Sequence, residues 1–107
     1  SMGGTGMLIY AVHHPEDLAA VGAFCPATDI KRYYRFCRDN PQRLPMLDEI
    51  AAAIDNAYGG TPETVPQHYD AGRTITHAER LTMPVYLCHG DSDAVIPVKE
   101  SRGLASA

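Results

Sequence analysis

Two short stretches carry side chains whose types and spacing could support catalysis. Ser1-Met2-Gly3-Gly4 stands at the head of one apolar segment, and His89-Gly90-Asp91-Ser92-Asp93-Ala94-Val95-Ile96-Pro97 follows another. A serine hydroxyl is a weak nucleophile until a base accepts its proton, and a third group must hold that base in the right tautomer. At a helix start the hydroxyl also lies beside the partial positive charge of the helix N-terminus. A carboxylate just past the carboxyl end of a parallel strand sits where open α/β sheets place their ligands. Asp93 and its neighbour Asp91 are the acids to weigh.

The elements that must position these groups follow from the apolar patterning. Residues 2–12 predict a helix. Its glycines weaken it by ~1 kcal/mol each, so close packing is their expected use. His13-His14-Pro15 stops it, because proline disfavours the α conformation in the residue before it. Residues 19–25 form a short continuous apolar run, as expected for a strand buried on both faces, and Pro26 ends it. Residues 31–43 mix Tyr33, Tyr34 and Phe36 with basic residues and predict a partly helical connector that lines a pocket or covers the sheet. Residues 44–58 give the clearest amphipathic helix, with Leu47, Ile50, Ala51, Ile54 and Ala57 at three- and four-residue intervals. Gly59-Gly60-Thr61-Pro62 breaks it. Residues 67–80 predict a helical turn plus connector. Residues 84–89 are a second buried-type strand closed by Gly90, and residues 97–106 can begin a helix with proline in its first turn. Strands separated by helical stretches predict an α/β fold, with parallel strands joined by crossover helices.

Composition narrows the class further. The 107 residues are 45% hydrophobic and 21% charged, with a net charge of −4. That is an ordinary globular balance, and intrinsic disorder is a poor reading. No basic run exceeds two residues, so a nucleic-acid partner has no electrostatic footprint. No apolar run approaches the ~20 residues that span a bilayer. The three cysteines, Cys25, Cys37 and Cys88, show no CxxC spacing. They are expected as buried, reduced thiols of a cytoplasmic protein rather than as a disulfide framework or a metal site.

Together the two end motifs resemble those of the α/β-hydrolase superfamily, in its serine esterase and prolyl-oligopeptidase-like branch. The family's nucleophile elbow reads G-x-S-x-G. Ser1-Met2-Gly3-Gly4 is similar to its latter part, and the stretch from Met83 to Pro97 is similar to the late strand that delivers the triad acid. Ala57-Tyr58-Gly59-Gly60-Thr61-Pro62, with Pro66 and Tyr69, also resembles the esterase branch. The resemblance implies Ser1 as nucleophile, Asp93 as triad acid and the backbone N–H of Met2 as one oxyanion donor. It implies an ester substrate cleaved through an acyl-enzyme, with peptide hydrolysis as the alternative, and no metal or organic cofactor. Haloalkane or epoxide chemistry uses a carboxylate at the elbow, against which the hydroxyl of Ser1 argues.

Other readings apply to the same residues. Ser-Met is also what protease removal of a tag leaves, and Asp93 can simply cap the turn that follows it. His89 precedes the acid and lies close to it in sequence, whereas this fold orders its triad Ser, Asp, His. A structural role at the strand end is expected for it. His13 and His14 end a helix, and His68 and His77 are expected to be solvated or locally bonded. The family's first half and its histidine-bearing last segment have no counterpart in these motifs. The expectation is therefore residues 1–107 as the C-terminal portion of one hydrolase domain with an incomplete sheet, inert by itself. Its partners would be a small-molecule ester, and either the rest of that domain or another copy of the chain. A non-catalytic α/β interaction module is the competing expectation.

Overall fold

The computed structural model describes all 107 residues. Helix α1 spans Met2–His13, with Ser1 as its N-cap. Strand β1 spans Val21–Phe24. Helices α2 (Ile30–Asp39), α3 (Met46–Tyr58) and α4 (Pro66–Ala71) form the long excursion. A 3₁₀ segment over Thr74–Arg80 leads to strand β2 (Val85–Cys88), and helix α5 covers Lys99–Ala105. The protein is thus a small mixed α/β domain whose two strands pair in parallel, Val21 with Val85 through Phe24 with Cys88. No helix is long and apolar enough to cross a membrane.

Helix α1 buries Gly4, Leu8, Ala11 and Val12, a single stripe, against β1. Gly4 alone explains the close approach. A Cβ there would lie 3.1 Å from the carbonyl oxygen of Phe24, whereas Gly3 and Gly6 face open space. Close packing is therefore the role of one glycine in this helix. At the other end, the Arg80 guanidinium donates to the Val12 carbonyl at 2.7 Å, satisfying one of the orphan acceptors of the last turn.

The excursion is more helical than its composition predicts. Asp29 caps α2 by accepting from the backbone N–H of Arg32 at 3.2 Å. Ile30, Tyr33, Tyr34 and Cys37 then form a buried stripe at helical spacing. In α3 Leu47 and Ala51 are buried against that stripe. Gly59, at φ +79°, ends α3 in the left-handed conformation that glycine adopts at least cost.

Two apolar cores result. One lies on a single face of the sheet, where Val21 and Ala23 meet Leu8 and Ala11 of α1 and Leu104 of α5. The other fills the helical lobe around Tyr69, Leu47, Cys37 and Ile96. Both helices that flank the sheet lie on the same side of it, so the opposite face is bare. Phe24 is 63% exposed and Tyr86 66% exposed, with Gly22 and Cys88 beside them. The expectation of strands buried on both faces is corrected accordingly. The thiols differ from expectation too: only Cys37 is buried, Cys25 is intermediate and Cys88 is exposed.

A buried ionic network joins the two cores. Glu100 is 1% exposed. Its Oε1 accepts from the N–H groups of Thr28 and Asp29 at 2.9 and 3.1 Å, and its Oε2 accepts from Arg32 Nε at 2.7 Å. Asp29 in turn receives Nε and Nη2 of Arg73, both at 3.0 Å. The network ties α5 to the turn between β1 and α2.

Candidate active site

Parallel pairing sends both strands out at the same end of the sheet, and the two sequence motifs meet there. Ser1 sits against the end of β1. Its hydroxyl accepts from Gly4 N–H at 3.1 Å and donates to the Phe24 carbonyl at 2.7 Å. Its amino group donates to the carbonyls of Phe24 and Cys25. Burial pushes that amino group down from its ordinary value, against the opposing pull of Cys25 and Asp93. In this arrangement the hydroxyl serves as the helix cap, and its proton is committed to a backbone carbonyl. Met2 opens the first turn and is 91% exposed, and its N–H has no intrahelical acceptor.

Asp93 stands in the loop beyond β2. Its Oδ1 accepts from the N–H groups of Val95 and Ile96 at 2.9 and 3.0 Å, so the turn-capping role is real. Burial pushes the carboxyl up. The two backbone donors, the Cys25 thiol and His89 outweigh that and hold it below the ordinary aspartate value. Asp91 is exposed, as expected of a loop carboxylate.

None of the five histidines is placed to relay a proton from Ser1. The His89 side chain is 2% exposed and both ring nitrogens are bonded: Nε2 lies 2.7 Å from the Ile96 carbonyl and Nδ1 2.8 Å from Ser101 Oγ. That is a structural role at a strand end. His13 and His14 lie at the far end of α1, about 18 Å along the helix axis from Ser1. His68 bonds the Tyr58 carbonyl and His77 that of Asp70, both in the helical lobe.

Cys25 is the neighbour that sequence reasoning missed. It has φ +50°, the one non-glycine residue with positive φ, and this conformation turns the chain at the end of β1. Donor atoms of Cys25, His89 and Asp93 lie within 4.8 Å of one another. Both imidazole nitrogens and Asp93 Oδ1 are already engaged. The thiol and Asp93 Oδ2 remain, fewer than the three protein ligands of a catalytic zinc site. The apolar identity of residues 19–24 gave no sign that the next residue would face a carboxylate.

No family model matches the chain, and neither a curated protein nor a solved structure does.

Proposed function

We propose that this chain is the C-terminal portion of a serine α/β-hydrolase domain that cleaves an ester through an acyl-enzyme on Ser1. The observation that carries the proposal is that Ser1, bonded to the end of β1, and Asp93, in the loop beyond β2, stand at the same end of a parallel pair of strands. In the proposed cycle the Ser1 hydroxyl leaves its cap position and attacks the ester carbonyl while an imidazole takes its proton. The Met2 N–H stabilises the oxyanion, and a second donor comes from the family's first half. The imidazolium returns the proton to the leaving alcohol, and water then hydrolyses the acyl-enzyme by the same relay. Asp93 orients that imidazole through its free Oδ2. The base comes from polypeptide outside these residues, because each histidine here is occupied elsewhere or remote. An ester is favoured over a peptide because the hollow beside Ser1 is apolar. The unpaired thiols suit a cytoplasmic setting.

The test is turnover of short p-nitrophenyl esters by the parent polypeptide carrying Ser1→Ala or Asp93→Asn. Each should lose several orders of magnitude in kcat. Near-unchanged turnover in either variant sinks the assignment.

A second reading, a non-catalytic module assembled with another surface, draws on the bare sheet face around Phe24 and Tyr86. Native mass spectrometry separates the two. Assembly with no serine-hydrolase labelling supports the module, and a stable monomer contradicts it.

A further inference from the structure

The turn that follows α1 gathers three side chains able to ligate a metal, at the opposite end of that helix from Ser1. His14, Glu16 and Asp17 each offer one donor atom, and the three atoms lie within 4.8 Å of one another. Their spacing is imposed by a 3₁₀ turn over Pro15–Asp17, with His14 as its N-cap. The Asp17 N–H donates to the His14 carbonyl at 3.1 Å, and the Pro15 ring locks the φ angle between them. Tyr10, one turn back on α1, braces two of the three. Its ring lies 5.0 Å from that of His14, and its hydroxyl donates to Asp17 Oδ2 at 2.6 Å. His13 is not a member, because its Nε2 lies 3.1 Å from the Ala71 carbonyl.

We infer that His14, Glu16 and Asp17 bind a single divalent transition-metal ion, zinc in type. An ion pair between His14 and Glu16 does not account for the cluster. Nδ1 and Oε1 are 3.8 Å apart, too far for a hydrogen bond, and the two side chains are 55% and 69% exposed. No lysine or arginine pairs with Glu16 or Asp17; the ion-pairing arginines all engage other acids. Two carboxylates thus stand together with an imidazole alone for balance. They lie beyond the C-terminal end of α1, where the helix partial charge also favours a cation. The imidazole selects the metal: calcium and magnesium take oxygen ligands, whereas nitrogen with carboxylate suits zinc. Bonds of about 2.1 Å set tetrahedral donors about 3.4 Å apart, so the widest pair must close by at most about 1.4 Å. Rotation of exposed side chains supplies that. Three protein ligands leave the fourth position to water, and Tyr10 is the hydrogen-bonded outer partner that a ligating carboxylate ordinarily has. The site stands independently of the hydrolase reading and gives the metal no part in chemistry at Ser1.

The test titrates zinc chloride into the metal-free full chain, read by calorimetry and by the ring signals of the histidines in NMR. One equivalent should bind, and the His14 signals should shift first. His14→Gln, Glu16→Gln and Asp17→Asn should each weaken binding by about tenfold or more. All three positions are exposed, and Asp17→Asn keeps an oxygen acceptor for Tyr10, so the fold is left undisturbed. His13→Gln removes the neighbouring imidazole and should leave the affinity unchanged. The rival ligand set is the Cys25 thiol with Asp93, and cobalt(II) separates the two. Thiolate ligation gives a near-ultraviolet charge-transfer band, which a nitrogen and carboxylate site lacks. That band, or binding abolished by Cys25→Ser, overturns the inference. So does an affinity indifferent to His14→Gln, an equal loss from His13→Gln, or the lack of saturable binding.

Discussion

His89 Nε2 lies 3.6 Å from Asp93 Oδ2, yet its hydrogen bond goes to the Ile96 carbonyl at 2.7 Å. A carbonyl can only accept, so Nε2 carries the proton. In the neutral ring Nδ1 then accepts from the Ser101 hydroxyl. No lone pair is left to take a proton from a nucleophile. The ring holds the loop after β2 to α5, and truncation by His89→Ala should cost about 2–4 kcal/mol. Urea denaturation measures the loss, and a change under 1 kcal/mol would contradict a structural role.

The depressed carboxyl of Asp93 predicts a pH dependence with a definite sign. The folded form holds the proton more weakly than the unfolded one. The stabilisation is therefore present above the ordinary aspartate value of 3.8 and fades as pH falls through the lower folded value. Asp93→Ala should destabilise by about 2 kcal/mol at neutral pH, since two backbone donors lose a charged acceptor. The gap between variant and wild type should shrink in acid. A gap that stays constant from neutral pH to pH ~2 would rule out the ionised carboxylate as its source.

Glycines of one helix should respond oppositely to the same substitution. Gly6→Ala adds a Cβ in open space and should stabilise by up to ~1 kcal/mol. Gly4→Ala drives a Cβ to 3.1 Å from backbone oxygen, and should destabilise by about 1 kcal/mol after the helix gain is offset. Thermal melts of the pair decide it. Equal shifts would mean that α1 does not ride on β1 as described.

Glu100 accepts from two backbone N–H groups and from Arg32 in a buried setting. Glu100→Ala should cost about 3 kcal/mol, the low end for a broken buried pair, because the Arg32 side chain is 38% exposed and can be partly rehydrated. Arg32→Ala should cost less than Glu100→Ala, since Glu100 would keep its two backbone donors. The reverse order in equilibrium denaturation would refute this assignment.

Much of the architecture was legible because apolar runs and proline and glycine stops are local signals. Both strands, their parallel pairing and α1, α3 and α5 lie within two residues or so of their predicted bounds. Helix α2 was half hidden: its buried stripe uses tyrosines and a cysteine among arginines, and its start depends on the cap at Asp29. The strands' bare face was not legible, because an all-apolar run reads the same whether one face or both are covered. At the site, the place of Asp93 beyond β2 follows from local sequence. The Cys25 contact and the Glu100 network join residues far apart in the chain, and no periodicity reports such pairs.

Parallel pairing of Val21 with Val85 has a kinetic consequence. The two strands cannot meet until the intervening helices have brought their ends together, and closing so long a loop is entropically slow. The lobe, whose α2 and α3 are neighbours in the chain, can form first and shorten that search. Weakening Leu47 in the lobe would then slow refolding, whereas weakening Ala23 in the ladder would chiefly hasten unfolding.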